Sequence, residues 1–370
     1  MELLARAREL EAQGRSVIHM EVGEPDFSTP EPIIQAGRRA LADGRTHYTP
    51  AMGLPELRQA ISRQYKTRYG LEVAHERIAV TPGASGALQL LMSVLINPGD
   101  GVLLADPGYP CNRNFVHLVG GIPQAVDVGP GTSYQLNVEL IEQNWKTNTK
   151  AVMVATPSNP TGTMLELEEL REIFQVVQRH NGYLIVDEIY QGLIYEAEDH
   201  TALEISDNLY VINSFSKYYG MTGWRLGWLV APPDKIGPID RLAQNIFLAA
   251  PTPAQYAALE AFSDESINIL EQRREVFRQR RDFLLPALEE LGFKFSVRPQ
   301  GAFYLYGNCR QHSSDSARFA HDLLEQMGVA VTPGMDFGNN APDKHLRFAY
   351  TTDMEQLQEG VRRIRQFVEG

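Results

Sequence analysis

The sequence predicts an α/β fold, with a large domain built on a mainly parallel sheet and a small α+β domain. Three observations carry that expectation. Residues 78–81, 102–105, 151–155, 183–186 and 209–212 are short, continuous apolar runs, the pattern of strands buried on both faces. Longer segments with helical spacing lie between or beside them, among them 55–69, 87–96 and 166–180. At 370 residues the chain exceeds what one hydrophobic core usually serves, so one large and one smaller domain are expected.

Composition narrows the function. A formal net charge of -12 argues against a phosphate-backbone partner, because nonspecific nucleic-acid binding rests on lysine and arginine neutralising phosphates. Cys111 and Cys309 lie far apart and in no metal-ligand spacing, so neither a disulfide framework nor a metal site is expected, which fits a reducing cytoplasm. The start of the chain alternates apolar and charged residues at helical spacing and reads as a surface helix without the apolar stretch of a signal peptide. The best apolar segment, 90–96, is far too short to cross a bilayer, so no membrane role is expected.

Taken in order, residues 17–22 read as a strand running into the turn Gly23-Glu24-Pro25, with a helix start at Thr29-Pro30. Tyr48 precedes the Pro50 to Gly53 loop and the 55–69 helix, a place where a tyrosine is ordinarily packing. After the strand at 78–81, Pro82-Gly83-Ala84-Ser85-Gly86 opens the helix at 87–96, and such a turn presents unpaired N–H groups and a positive dipole end to an anion. It matches neither the dinucleotide fingerprint nor the P-loop, so by itself it reads as a structural turn. Tyr109 follows the next strand between Pro107 and Pro110, which stiffens a ring that can lie flat on another ring. Asn159 is held between prolines after the strand at 151–155. Asp187 ends the strand at 183–186, and in open α/β sheets the ligand crevice lies at the carboxyl ends of the strands.

Residues 251–262 and 264–291 read as helices, the second carrying the charge run 271–275, which is expected to be a solvated face. Beyond it, 299–304 leads into a strand, 333–338 forms a loop, and 345–350 alternates so that Arg347 points opposite to Leu346 and Phe348. A planar guanidinium matches a carboxylate bidentately, although a surface ion pair would also suit this residue.

The segment 213–228, NSFSKYYGMTGWRLGW, holds Lys217 just past the apolar run at 209–212. It is similar to the cofactor-lysine segment of the pyridoxal-phosphate-dependent aminotransferases of class I and II, fold type I, in the aspartate aminotransferase superfamily. The other motifs follow in the family's order from about Val17 to the end of the chain. The resemblance implies a seven-stranded sheet in a large domain at 41–265, and a small domain assembled from 1–40 and 266–370. It implies pyridoxal phosphate as cofactor, bound as a Schiff base on Lys217, with Asp187 at the pyridine nitrogen and Asn159 and Tyr190 at the phenolic oxygen. Tyr109 would stack on the ring, Gly83, Ala84 and Ser85 would hold the phosphate, and Ser214 and Arg225 would complete the cofactor site. Tyr48 would reach the phosphate of a neighbouring subunit in a homodimer. Gly23, Asn159 and Arg347 would meet the substrate, Arg347 gripping its α-carboxylate.

The activity implied is transfer of an amino group between an L-amino acid and a 2-oxo acid, with 2-oxoglutarate as acceptor by family analogy. Residues 244–249 bring no cation closer than Arg241 for a second carboxylate, so a neutral or aromatic donor is expected, with Arg15 the N-terminal cation that could alter this. Two other readings stand beside it: another fold type I activity such as a carbon–sulfur lyase, and a non-enzymatic cofactor-sensing domain.

Overall fold

The computed structural model describes residues 2–370. The chain begins α1 (Glu2–Ala12), β1 (Ile18–His19), α2 (Glu31–Ala42), α3 (Pro55–Tyr69), β2 (Ile78–Thr81), α4 (Gly83–Leu95) and β3 (Gly101–Asp106). It continues α5 (Pro110–Leu118), β4 (Ile122–Asp127), α6 (Val138–Asn144), β5 (Thr149–Ala155), α7 (Leu167–Arg179), β6 (Tyr183–Asp187), β7 (Tyr210–Ser214) and β8 (Gly227–Val230). Then follow α8 (Pro233–Ile246), α9 (Thr252–Leu259), α10 (Asp264–Glu290), β9 (Tyr304–Asn308), α11 (Ser316–Met327), β10 (Val329–Ala330), β11 (Thr332–Pro333), β12 (His345–Ala349) and α12 (Met354–Glu369).

The apolar runs assemble into one seven-stranded sheet in the order β2-β8-β7-β6-β5-β3-β4. Strands β7, β6, β5, β3 and β4 are parallel to one another, whereas β8 runs against both β2 and β7. Both faces are covered, which is why these strands are apolar throughout rather than on alternate residues. Ile185 and Ile212 pack with Leu91 of α4 and Ile239 of α8 on one face. Leu184, Val186 and Val211 pack with Ile61 of α3 and Ile173 of α7 on the other.

A smaller antiparallel sheet, β11-β12-β9, holds the C-terminal strands, and β1 pairs in parallel with β10 so that the two ends of the chain meet. Among the described residues no helix is long and apolar enough to cross a membrane, and no group of acids, histidines and cysteines could hold a metal ion.

Several elements depart from the sequence reading. Only two residues of the expected strand at 17–22 form β1, because past Met20 the chain bends toward the Gly23 turn; Met20 still donates to Ala330 O and accepts from Ala349. Helix α4 starts at Gly83 instead of 87, so its first turn directly follows β2. The expected helix at 251–262 is α9 followed by a single 3₁₀ turn. The charge run of α10 is not simply solvated: Glu271 accepts from the Tyr218 hydroxyl at 2.5 Å, Arg273 donates to Ser28 O at 2.7 Å, and Arg274 donates to Ile194 O at 3.2 Å. The two arginines supply donors to loop carbonyls that α10 passes over.

Candidate active site

Strand ends and the start of α4 open on one cavity of about 520 Å³. Its lining brings together Gly23, Ala84, Ser85, Tyr109, Asn159, Asp187, Tyr190, Ser214, Lys217, Arg225 and Arg347. Gly83 lies one residue before this group, and Tyr48 is elsewhere, 82% exposed on the surface.

One end of the cavity is built for an anion. Pro82 precedes α4 and offers no side-chain cap, so the first-turn N–H groups keep their capacity for an external acceptor. Gly83 has φ +69°, and a Cβ there would lie 2.6 Å from Nη2 of Arg225, so the glycine is what lets the guanidinium approach. Arg225 itself has a positive φ of 55°, a strained conformation that aims it back at this turn, where Nη1 donates to Thr222 O at 3.0 Å. Ser214, at the carboxyl end of β7, lies 2.9 Å from the Ser216 hydroxyl. Amide groups, a guanidinium and two hydroxyls in one place fit a phosphate.

Lys217 follows β7 and is partly exposed only because it faces the cavity. Its Nζ donates to Gly23 O at 2.6 Å. Burial lowers its pKa to about 8; Glu24 works against that shift, while Arg347 and Arg225 add to it. An amine in this state is a competent nucleophile near neutrality.

Asp187 closes β6 with its backbone paired to Ala155 on one side and Ile212 on the other. Its Oδ1 accepts from Ile189 N at 3.1 Å, and burial pushes its pKa up to about 6. A cation brought beside it favours the ionised form. The buried Tyr190 hydroxyl lies 2.8 Å from that of Tyr304, and burial holds its pKa well above the usual phenol value. Tyr109 is fixed between Gly108, whose N–H donates to Phe337 O, and Pro110 at the start of α5, and its ring is 42% exposed.

Arg347 enters from β12 of the small sheet. Its guanidinium lies 4.3 Å from the Tyr304 ring centroid and 4.9 Å from that of Phe337, sandwiched by aromatics. Nη1 donates to Asn159 Oδ1 at 3.0 Å and Nη2 to Glu21 O at 2.6 Å, while Nε is buried without a partner among the described residues. A guanidinium only donates, so the oxygen of Asn159 must face it, leaving the amide nitrogen for another acceptor.

Sequence reasoning missed Leu3, Leu4, Glu21, Glu24, Tyr304 and Phe337, which also line the cavity. Glu24 and Tyr304 sit inside segments already singled out for their glycines and prolines; Leu3 and Leu4 carry no local signal. The N-terminal helix is therefore more than a surface helix, since α1 covers part of the cavity. Arg15 does not reach it: its Nη2 donates to Glu325 O at 2.6 Å.

Comparison with known proteins agrees with this architecture. The sequence model of the family described as aminotransferase class I and II matches residues 15–364. An aspartate/prephenate aminotransferase of Thermus thermophilus is 36% identical, with 97% of this chain and 93% of that protein covered. A valine–pyruvate aminotransferase of Mycobacterium tuberculosis is 34% identical, with 98% and 94% covered. The crystal structure of an aminotransferase from Mycobacterium tuberculosis superposes with a TM-score of 0.97 at 34% identity, covering 100% of this chain and 96% of that one. The chain belongs to the class I and II aminotransferases of fold type I and is a pyridoxal-phosphate-dependent enzyme.

Proposed function

We propose that Lys217 is the covalent attachment point of pyridoxal phosphate and the base that moves the proton during amino transfer. The observation that carries this reading is the lowered pKa of Lys217, about 8, in a cavity shared with Asp187, Asn159 and Arg347. The bound cofactor supplies an electron sink for the pair left when the substrate α-proton is removed. Lys217 Nζ would take that proton and hold it for return. Asp187 would lie at the pyridine nitrogen and favour its protonated form. Asn159 and Tyr190 would meet the phenolic oxygen, and Tyr109 would cover the ring. The start of α4, with Gly83, Ala84 and Ser85, joins Ser214 and Arg225 in holding the phosphate. Arg347 grips the substrate α-carboxylate, with Gly23 giving its backbone room to approach.

The active form is proposed to be a homodimer in which Tyr48 reaches the phosphate in a second copy; its 82% exposure on the single chain supports this. The pairing of β1 with β10 supports a small domain drawn from both chain ends.

The donor is proposed to be a neutral or aromatic amino acid. Among the described lining residues the cations are Lys217, Arg225 and Arg347, and each has a task above. The rest of the lining carries no further cation and includes the apolar Leu3, Leu4 and Phe337 and the acidic Glu21, Glu24 and Asp336. A second substrate carboxylate desolvated there without a partner costs several kcal/mol, roughly, whereas an uncharged side chain does not. The acceptor implied by the family is 2-oxoglutarate, but its second carboxylate would meet the same cost, so the lining itself favours a monocarboxylate acceptor such as pyruvate.

A panel of aspartate, alanine, leucine and phenylalanine, each scored for 2-oxo acid release and aminated cofactor, tests this reading, with pyruvate and 2-oxoglutarate compared as acceptors. Leucine or phenylalanine is expected to exceed aspartate in kcat/KM. A clear lead for aspartate contradicts the donor assignment, and product release without aminated cofactor would point to a lyase instead.

A further inference from the structure

The residue that holds Arg347 from behind also connects to the cover of the cavity. Glu21 O accepts from Arg347 Nη2, while the Glu21 side chain turns toward His19, its Oε1 2.8 Å from Nδ1. The other imidazole nitrogen, Nε2, lies 3.2 Å from Oε1 of Glu11 on α1. Both neighbours are carboxylates, so both ring nitrogens donate only in the imidazolium form. The hydrogen bond to Glu21 and the nearby charges raise the His19 pKa to about 9 against the lowering effect of burial. Glu21 is 8% exposed, and its Oε2 is buried with no hydrogen-bond partner among the described residues. A buried carboxylate is costly without a partner, and the His19 imidazolium supplies one.

Helix α1 is tied down in two different ways. Arg6 pairs with Glu325 of α11, and Ala7 and Leu10 are buried with Leu324 and Ala330. The His19 bridge instead ties α1 to the segment that forms the cavity wall. Leu4 lies two turns before Glu11 on the same stripe of α1, and Leu3 is next to it; both line the cavity.

We propose that His19 is a positioning residue for substrate choice: by bridging Glu11 and Glu21 it sets α1 against the cavity, so that Leu3 and Leu4 form the wall on which an apolar donor side chain packs. The proposal rests on the reading of this cavity as an amino-transfer site for uncharged donors. Other charged groups on the elements around His19 are already engaged. Arg6 and Arg15 meet Glu325 of α11, and Arg363 of α12 pairs with Glu359 and donates to Ser16 O. The cation spanning the two carboxylates is thus His19 itself.

The test compares leucine with alanine as donor in the holoenzyme. His19→Ala is expected to raise KM for leucine about tenfold, the discrimination a methylene or two brings in an apolar pocket, with KM for alanine and both kcat values changed less than about twofold. His19→Lys, which restores a cation between the carboxylates, is expected to recover most of the leucine preference. In the wild type the leucine-to-alanine ratio of kcat/KM should fall as pH rises through about 9, and in His19→Ala it should stay flat. If His19→Ala fails to fold, Glu11→Gln on the half-exposed face of α1 carries the same expectation.

Equal losses for both donors, or an unchanged ratio in Glu11→Gln and His19→Ala alike, overturn the positioning role while leaving the amino-transfer reading intact. A wild-type enzyme that aminates its cofactor with neither donor overturns both.

Discussion

The inner and outer walls of the cavity are built by different means. The inner wall is made where parallel strands end: Asp187 closes β6, Ser214 closes β7, and Lys217 follows three residues later. Pairing on both sides fixes Asp187 and pairing with β8 fixes Ser214, while burial shifts the pKa of Asp187 upward and that of Lys217 downward. The outer wall is made by chain segments that meet only in the folded molecule. Leu3 and Leu4 come from α1, Glu21 from the end of the β1 segment, and Arg347 from β12, held by Asn159 some 188 positions away in sequence. The contrast teaches a division of labour: the groups proposed to react sit at or just past the strand ends of the sheet, and the groups proposed to choose the substrate sit on elements with their own anchors.

Replacing the central inner-wall residue should have the largest effect. Lys217→Ala is expected to lower kcat by at least about 10³-fold while the fold is kept, since it removes both the proposed covalent link and the proposed proton carrier. Stopped-flow and steady-state assays check this, and retention of a tenth of the wild-type kcat would move the chemistry to another residue.

Next is the pH dependence of cofactor loading. Only the neutral Lys217 amine can condense with an aldehyde, and its pKa is lowered to about 8 chiefly by burial. The rate of holoenzyme formation from the apoenzyme should therefore rise about tenfold per pH unit below 8 and level off above it. A rate still climbing tenfold per unit at pH 10 would mean that the amine is solvated and that the inner wall does not tune it.

Arg347→Lys sharpens the comparison from the outer side. It keeps the charge but loses the planar fork, so kcat/KM for amino acids is expected to drop about tenfold or more, with cofactor affinity unchanged. A loss of cofactor affinity equal to the loss in substrate efficiency would place Arg347 among the cofactor's ligands instead.

The smallest expected effect belongs to Tyr48. Tyr48→Phe should weaken cofactor binding about fivefold, the worth of one hydrogen bond, in a protein that sediments as a dimer at micromolar concentration. A fully active monomer would reduce Tyr48 to a surface residue.

How much could be read beforehand follows the same division. The sheet was legible because buried parallel strands are continuously apolar, and Asp187, Asn159 and Tyr109 were legible because each stands beside a strand end in a loop stiffened or shaped by its neighbours. Strand β4 left no such trace: it is an edge strand of mixed exposure with Pro123 in it. β8 was hidden within the lysine motif, four buried residues running against the rest of the sheet. Leu3 and Leu4 were illegible because nothing in an amphipathic helix says which partner its apolar stripe covers. The charge run of α10 misled for a related reason, since the loops whose carbonyls it meets lie roughly 80 and 245 positions away.

The central claim is that Lys217 is the amine to which the cofactor is joined. Borohydride reduction of the purified holoenzyme, followed by proteolysis and mass mapping, measures it directly. A single pyridoxyl-phosphate mass increment is expected on the peptide containing Lys217, and it should be lost in Lys217→Ala. A label on Lys235, Lys294 or any other lysine would contradict it.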